Sequence, residues 1–205
     1  WPSAAASGTD VVGVCFRSGV ASSLLGVAAS ELRDARVCLD QLWGARAARE
    51  LAERVSCRDD DDGRAIELEN AVRRMAAVAW GLDVVALEVT GRLRTARTAS
   101  ARELARATHL SERQLHRRCT AAFGYGPEFL LRIHRIQRFL QLARDESRPP
   151  WLAGLAIDAG YADQPHLTRE VRSIMGTTPA QLLRSSPECP IGSRPEPSAG
   201  ATLVG

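Results

Sequence analysis

The feature that most restricts the fold of this chain is an internal repeat of about fifty residues in its second half. Each copy has a Leu-Ala pair, a further leucine, an arginine two residues after that leucine, and a Gly-x-x-Pro segment. In the first copy these are Leu104-Ala105, Leu115, Arg117 and Gly124 to Pro127. In the second copy they are Leu155-Ala156, Leu167, Arg169 and Gly176 to Pro179. Because the spacing between these positions is nearly the same in both copies, the repeat predicts two similar modules of secondary structure.

The first copy has the signals of a helix, a tight turn and a second helix. Ser100 with Glu103 and Ser111 with Gln114 both fit the capping box, in which a hydroxyl and a side chain three residues later satisfy amides at a helix start. We therefore expect a short helix through residue 107 and a second one to about Phe123. Leu115, Cys119 and Phe123 are predicted to face inward, and Gly124 and Pro127 to end this helix and open the next.

The second copy has the same order of signals. A first helix is expected over 151–159, followed by a turn at Gly160 and a second helix with Asp163 as its N-cap. Leu167, Val171 and Met175 are predicted to face inward. Between the copies, residues 127–144 predict one long helix with an apolar face, and its arginines are expected to lie toward solvent, namely Arg132, Arg135 and Arg138.

Polar and basic side chains occupy the predicted outer faces of the two second helices. They are Arg113, Gln114, His116, Arg117 and Arg118 in the first copy, and Gln164, His166, Thr168, Arg169 and Arg172 in the second. A short helix packed across a second helix with such a face is typical of a helix-turn-helix, whose second helix fits the major groove of DNA. Arginine can bind guanine O6 and N7, and glutamine can bind adenine N6 and N7.

The distribution of charge supports a polyanion as the partner of this region. Residues 92–184 carry 16 Arg and 8 acidic residues, a net charge of +8, whereas residues 1–91 carry 10 Arg and 14 acidic residues, a net charge of −4. The chain has no lysine, so all of its cationic side chains can make forked contacts to phosphate or guanine. A basic block of this kind is typical of a nucleic-acid-binding unit, and a solvated helical bundle is the alternative that charge alone leaves open.

The first half of the chain gives weaker signals. Val11 to Phe16 predicts a short strand, and the acidic run at 59–63 predicts an exposed loop. A heptad-like apolar pattern follows, formed by Leu68, Val72, Met75, Ala79, Leu82, Ala86, Val89 and Leu93. Gly81 predicts a break within it, and Asp83 is the expected N-cap of a new helix. The segment 185–205, rich in Pro, Gly and Ser, predicts a disordered tail.

Residues 84–184 resemble the DNA-binding unit of the AraC/XylS family of bacterial transcriptional regulators. The most specific stretch runs through Gly160-Tyr161-Ala162-Asp163-Gln164-Pro165-His166-Leu167, Arg169 and Gly176-Thr177-Thr178-Pro179. The family usually has Phe at the positions of Leu167 and Val171, and often Gly at the position of His109. The resemblance implies two recognition helices in successive major-groove segments, with half-sites roughly 34 Å apart.

The resemblance also assigns roles to individual side chains. Base contacts are expected from the first helix through Arg113, His116 and Arg117, and from the second through Gln164, His166 and Arg169. Phosphate contacts are expected from Arg118, from Arg172 and from the amides at the starts of the two helices.

The expected fold is mainly α, with two helix-turn-helix subdomains joined by a long helix and preceded by a small helical N-terminal remnant with little strand. Residues 1–62 are assigned to a truncated sensing or dimerisation domain, 63–82 to a connecting helix, 83–184 to the DNA-binding domain and 185–205 to the tail. Expected partners are double-stranded promoter DNA and RNA polymerase, and a homodimer is compatible with this organisation. The effector stays open, and a cytoplasmic location is expected.

Two other classes of function were weighed against a transcription regulator. A DNA-repair methyl acceptor would need a reactive, metal-held cysteine, but the five cysteines are widely spaced and form no CxxC pair. A helical adaptor would use the arginine faces to bind acidic proteins. The sequence shows no catalytic motif, metal-ligand cluster or apolar run long enough to span a membrane. We therefore expect no enzymatic activity, no cofactor and no metal.

Overall fold

The computed structural model describes residues 12–78, 81–95, 100–145 and 151–184, and all regular structure in these ranges is helical. The helices in chain order are α1 (Ala21–Leu25), α2 (Ala29–Leu32), α3 (Leu39–Trp43), α4 (Ala45–Ser56), α5 (Asp61–Val78), α6 (Val84–Thr95), α7 (Ala101–Ala107), α8 (Glu112–Phe123), α9 (Pro127–Ala143), α10 (Leu152–Ala159), α11 (Gln164–Met175) and α12 (Pro179–Arg184). The predicted mainly α fold is confirmed. In these ranges no helix combines the length and apolar character needed to cross a bilayer. The predicted tail at 185–205 lies outside the described residues.

The chain divides into two compact units, and the boundary between them lies between His134 and Arg135, inside α9. The first unit holds the first copy of the repeat together with the helices that precede it, and the second unit holds the second copy. The domain limits expected after residues 62, 82 and 184 stay predictions.

The core of the first unit lies beneath α8. It consists of apolar residues from α6, α7, α8 and the start of α9, namely Val89, Leu93, Leu104, Ala105, Leu115, Cys119 and Leu130. Burying a leucine side chain of this kind contributes about 1.5–3 kcal/mol, so Leu115 is a main anchor of α8.

The core of the second unit lies beneath α11 and is built in the same way. Its members come from the end of α9, from α10, from the turn and from α11: Ile136, Phe139, Leu155, Ala156, Ala159, Tyr161, Leu167 and Val171. Leu167 and Val171 are fully buried and anchor α11.

The turn between the paired helices has the same hydrogen bonding in both units. The Leu110 amide donates to the Ala105 carbonyl at 2.9 Å, and the Tyr161 amide donates to the Ala156 carbonyl at 2.9 Å. This is the bond that closes a Schellman motif, in which the preceding residue takes a left-handed conformation. Glycine occupies that position in the second unit, with φ 96° at Gly160. The predicted turns are therefore confirmed.

The helix starts follow the predicted caps. Ser100 and Ser111 each accept a hydrogen bond from the amide three residues on, at 3.1 and 3.3 Å, and both reciprocal bonds of the capping boxes are present at 2.9 Å. Asp163 caps α11 by accepting from the His166 amide at 2.6 Å. Thr178 and Gln181 form a further capping box at the start of α12, which the sequence analysis did not identify.

The predicted strand over Val11 to Phe16 is wrong in its described part. Residues 12–17 have no regular structure, and Val11 lies outside the described residues. A single extended segment leaves its backbone groups without partners, and in the described ranges no second strand is present to pair with it.

The acidic run was predicted as a loop, but its second half opens α5. The Asp60 carboxylate accepts from the Gly63 amide and so acts as the N-cap, while Asp61 and Asp62 occupy the first turn. Carboxylates are favourable there because the helix dipole is positive at its N-terminal end.

The break predicted near Gly81 is confirmed, since α5 ends at Val78 and α6 begins at Val84. Asp83 caps α6 by accepting from the amides of Val85 and Ala86 at 2.9 and 3.2 Å. Within the predicted apolar pattern, Ala86, Val89 and Leu93 are buried, Leu82 is 45% exposed, and Ala79 lies outside the described residues.

The prediction that Met175 faces inward with Leu167 and Val171 is wrong. Met175 is 47% exposed, whereas the other two side chains are fully buried. A helix turns about 100° per residue, so a side chain eight positions on has rotated about 80° past two full turns and leaves the buried face.

His109 provides a test of the turn, because it holds the left-handed position with φ 55° and is exposed. His tolerates this region better than β-branched residues do, and glycine tolerates it best. We expect His109→Val to lower the free energy of unfolding by about 1–2 kcal/mol and His109→Gly to leave it equal or higher. Urea unfolding followed by circular dichroism measures both changes.

The matched control is Arg106→Val, at an exposed position within α7. It changes only helix propensity and should cost less than about 0.7 kcal/mol. An equal loss in Arg106→Val and His109→Val would show that the left-handed turn is not what makes residue 109 sensitive.

Candidate nucleic-acid interface

One face of α8 presents all five side chains that the sequence analysis selected in the first copy. Arg113, Gln114, His116, Arg117 and Arg118 are all exposed. Leu115 and Cys119, at 0% and 1% exposed, fix the opposite face against the core. Helical periodicity then leaves Arg113, Gln114 and residues 116–118 on the surface.

The exposed side chains of α8 differ in how far they are already engaged. Arg113 and Arg117 make no hydrogen bond or ion pair with the residues that the structure describes, so their guanidinium groups are available to a ligand. The Gln114 carbonyl oxygen, in contrast, accepts from the Ser111 amide at 2.9 Å and from its hydroxyl at 3.0 Å. Gln114 thus stabilises the start of α8, and only its NH₂ group can donate to a ligand.

Arg118 has an acidic neighbour at the start of α6. Its Nη1 lies 3.4 Å from Asp83 Oδ1, the same oxygen that caps α6. The Arg118 side chain is 49% exposed, so water and an approaching anion can reach this ion pair. The sequence does not predict Asp83 as the partner of Arg118, because thirty-five positions separate the two residues and no periodic pattern links them.

His116 lies against the turn that follows α8. A Cβ atom on Gly126 would meet its Nε2 at 2.7 Å, so the imidazole occupies the space that the glycine leaves open. The ring is therefore held close to the backbone while the residue as a whole stays exposed.

The face of α11 is less open than that of α8. Gln164, Arg169 and Arg172 are exposed, whereas His166 and Thr168 are half-buried. The His166 ring meets the Tyr161 ring edge-on at 5.3 Å, and the Thr168 hydroxyl donates to the Gln164 carbonyl at 2.9 Å. We conclude that Gln164, Arg169 and Arg172 are the most accessible polar groups of this face.

Arg169 is oriented by its own helix. Its Nε donates to the Pro165 carbonyl at 3.3 Å, which directs the guanidinium along α11 toward the N-terminal end. The two terminal nitrogens make no bond to the described residues and can form a fork onto a planar acceptor pair.

Glu170 is a charged residue on the buried side of α11, and an arginine of α9 holds it there. The Glu170 side chain is 7% exposed, and its two oxygens accept from Arg135 Nε and Nη2 at 3.2 and 3.0 Å. The Arg135 guanidinium also lies 5.5 Å from the centre of the Tyr161 ring. This bidentate pair fixes α11 to α9, and its neighbours Arg169 and Arg172 stay exposed.

The prediction that the arginines of α9 lie toward solvent is therefore wrong. Arg132, Arg135 and Arg138 are all half-buried. Arg132 lies 5.6 Å from the centre of the Phe129 ring, and Arg138 Nε donates to the Asp158 carbonyl at 3.0 Å. Glu170 lies between Leu167 and Val171, the two buried apolar residues of α11. Its position is the sequence signal that could have indicated a nearby cation, since a buried carboxylate requires a partner.

Cys119 has a structural role beneath α8. Burial, with a smaller contribution from Asp83, raises the pKa of its thiol to about 11. The thiol is accordingly neutral near pH 7 and packs as a small apolar group. Cys15, Cys38 and Cys57 are free and exposed, and in the described ranges no three His, Cys, Asp or Glu residues form a group that could hold a metal ion.

Comparison with known proteins identifies the type of this domain. A family model described as a helix-turn-helix domain matches residues 104–185, about two fifths of the chain. The match supports an AraC-type helix-turn-helix, a DNA-binding domain of transcription regulation, and it covers both turns described above. Neither the curated proteins nor the solved structures contain a match to the chain.

The Arg135–Glu170 pair can be tested through stability. Arg135→Ala leaves the buried carboxylate without its cation, and we expect a loss of about 2–3 kcal/mol. The expected loss of stability is smaller than that for breaking a fully buried ion pair, because 32% of the Arg135 side chain is exposed. Arg144→Ala, which removes an exposed arginine just after α9, should change the free energy of unfolding by less than about 0.5 kcal/mol.

The double variant Arg135→Met with Glu170→Leu separates pairing from packing. It removes both charges and keeps apolar volume, so it should recover most of the loss seen in Arg135→Ala. Thermal unfolding of all variants provides the comparison. A double variant as unstable as Arg135→Ala would contradict the assigned role of the pair.

The Arg118–Asp83 pair can be tested through DNA affinity. Asp83→Asn keeps a side chain that caps α6 and removes the charge that pairs with Arg118, so that Arg118 becomes free to bind a phosphate. We expect tighter binding to all duplexes by about 1.4–5-fold at low salt, the range that corresponds to an exposed ion pair of roughly 0.2–1 kcal/mol. The gain should decline as salt screens both interactions.

Glu88→Gln is the control for this experiment. It removes the same charge from the same helix at a residue paired with Arg92, and we expect a smaller change in affinity. Fluorescence anisotropy with a labelled duplex measures both variants. Equal gains would attribute the effect to net charge and not to Arg118.

Proposed function

We propose that this chain is a sequence-specific transcription regulator of the AraC/XylS type that inserts α8 and α11 into the major groove of promoter DNA as two recognition helices. The observation that carries this proposal is the repeated geometry of the two units. In each unit the same turn bond and a fully buried leucine, Leu115 or Leu167, leave an exposed arginine two residues later. Two such arrangements and an AraC-type domain match favour DNA over an acidic protein as the partner.

Recognition of bases is assigned to the side chains whose polar groups are accessible. Arg113 and Arg117 can each form two bonds to guanine O6 and N7, and His116 can bind a base edge beside them. In α11 the corresponding roles fall to Gln164, which can pair with adenine N6 and N7, and to Arg169. His166, whose ring packs against that of Tyr161, and Thr168, whose hydroxyl donates to the Gln164 carbonyl, are weaker candidates.

Recognition of phosphates is assigned to groups at the edges of the two helices. Arg118 can exchange Asp83 for a phosphate, and Arg172 is exposed on α11. Amides at the N-terminal ends of α8 and α11 add oriented partial positive charge. These contacts do not depend on the base sequence, and they should make the affinity for DNA fall steeply as the salt concentration rises.

The continuous helix α9 contributes residues to both units, and we propose that it joins two recognition elements that contact successive major-groove segments, roughly 34 Å apart. The proposal comes from the repeat and from the family resemblance. RNA polymerase is the proposed protein partner at the promoter, and homodimerisation is compatible with the organisation. The proposed action is binding, without catalysis or a cofactor.

Selection of bound sequences from a random duplex library tests the base contacts. Arg117→Ala and Arg169→Ala should each relax base preference at one position by about 1–3 kcal/mol, and the two positions should differ. Arg118→Ala should instead weaken binding to all duplexes alike and reduce the slope of log affinity against log salt by about one unit.

Arg73→Ala serves as a control, because Arg73 is exposed on α5 and paired with Glu69. It should keep the wild-type base preference. A wild-type chain that selects no sequence would refute sequence-specific binding. A wild-type preference that persists in both Arg117→Ala and Arg169→Ala would refute the assignment of these two contacts.

A further inference from the structure

The segment from Ser18 to Arg33, here called the N-terminal brace, packs against the C-terminal end of α8. It contains α1 and α2, and it is held by side-chain bonds to the backbone of the first helix-turn-helix. The Ser22 hydroxyl donates to the Ala122 carbonyl at 3.3 Å, and Arg33 Nη1 donates to the Gly124 carbonyl at 3.4 Å. These contacts join residues about a hundred positions apart within the first unit.

The bonded carbonyls are groups that a helix cannot satisfy by itself. The last carbonyls of any α-helix lack intrahelical donors and need other partners. A cation is also favourable at the negative end of the helix dipole, and the Arg33 guanidinium lies 5.6 Å from the centre of the Tyr125 ring as well. The brace therefore supplies part of the C-terminal cap of α8.

Two glycines allow the brace and α8 to approach each other closely. Gly19 has φ +80°, and a Cβ atom there would lie 2.9 Å from Phe123 Cε1 and 3.2 Å from Ala86 Cβ. Gly124 also has φ +80°, and a Cβ atom there would lie 3.0 Å from the Ala29 carbonyl oxygen. Both positions thus exclude a side chain, one by contact with an aromatic ring and the other by contact with backbone.

The brace also contacts α6, the helix that supports α8 from the core. The Asp83 amide donates to Ser23 Oγ at 3.3 Å. Thr90 Oγ1, which donates to the Ala86 carbonyl of its own helix at 2.9 Å, lies 3.4 Å from the Ser18 carbonyl oxygen. Asp83 is the residue whose carboxylate pairs with Arg118. The brace is consequently linked to α8 at two places, directly at its C-terminal end and through Asp83 at Arg118, in the middle of the helix.

We propose that the N-terminal brace positions recognition helix α8, with Gly19 and Arg33 as positioning residues, and that base discrimination by the first helix-turn-helix depends on it. The inference rests on the proposed function, because it assigns a consequence for DNA recognition to contacts outside the predicted DNA-binding domain at 83–184. Displacing the brace leaves terminal carbonyls of α8 and the Phe123 ring without these partners. The base contacts of α8 should then weaken while those of α11 persist.

The first test compares Gly19→Val with Gly26→Val in the full chain. Both glycines have positive φ, +80° and +69°, but a Cβ atom on Gly26 meets nothing within 4 Å. The two variants therefore share backbone strain, and only Gly19→Val forces the brace away from Phe123 and Ala86. We expect Gly19→Val to weaken binding to the selected duplex about tenfold and Gly26→Val to change it less than about twofold.

Single base-pair changes in that duplex give the readout that a general loss of structure would not produce. Gly19→Val should lose discrimination at the positions that Arg117→Ala affects and keep it at those that Arg169→Ala affects. Circular dichroism confirms that both variants are folded. Equal behaviour of the two glycine variants, or equal loss of discrimination at both sets of positions in a folded Gly19→Val, would overturn the proposal.

A second pair of variants decides the matter if Gly19→Val fails to fold. Arg33→Met and Arg36→Met remove one exposed arginine each, three positions apart, and only Arg33 contacts α8. Arg33→Met should lower affinity for the selected duplex about threefold with an unchanged salt slope, and Arg33→Lys should recover part of it. Equal effects of Arg33→Met and Arg36→Met would overturn the proposal.

The same experiments separate this inference from the function on which it rests. A wild-type chain without sequence preference refutes the proposed function, and the role of the brace in recognition falls with it. A wild-type chain with clear preference, together with a brace whose variants match their controls, refutes only the positioning role.

Discussion

The burial of one leucine in each second helix is the contact on which the proposed interface depends. Leu115 and Leu167 are fully buried, and the turn bond at the preceding Ala105 or Ala156 sets how each helix enters. Once the leucine is fixed, the helical period alone places Arg117 or Arg169 on the outer side. In the proposed complex, a change at the leucine would therefore alter DNA recognition without replacing any side chain assigned to DNA, because the core fixes the orientation of the helix that carries the arginine.

The parts of this architecture that the sequence predicted are those set by contacts between near neighbours. Capping boxes at Ser100 and Ser111, the cap at Asp163 and the turn at Gly160 involve groups within five positions of each other. Such contacts require particular residue types at fixed spacing, so their signals survive in a single sequence. His109 is a less usual case, because histidine is not the residue type that most favours a left-handed conformation. Its place in the turn, and not its residue type, indicates that conformation.

The parts that the sequence did not predict depend on contacts between distant positions. Burial of Arg135 is decided by Glu170, thirty-five positions away, and the environment of Arg118 by Asp83 at a similar separation. The bonds between the N-terminal brace and the end of α8 join positions that lie still farther apart in the sequence. A helical pattern states which side of a helix is apolar, but it does not state which polar side chain from elsewhere will neutralise an acid on that side. The predicted strand failed for the same reason, since strands require a partner segment.

These distant contacts decide which arginines of the basic block are accessible to a ligand. Arg135 pairs with Glu170, whose charge the net value of +8 already includes, and Arg138 Nε donates to a carbonyl, so both guanidinium groups are engaged within the protein. Helices α8 and α11 also differ at equivalent positions of the repeat, Arg118 in α8 and Glu170 in α11. The Arg118–Asp83 pair is accessible to phosphate, whereas the Glu170–Arg135 pair is buried and cannot exchange its partner without cost. In the proposed complex, α8 can therefore add a phosphate contact at this position that α11 lacks, whereas the phosphate contact assigned to α11 comes from Arg172 at a position where α8 has Thr120.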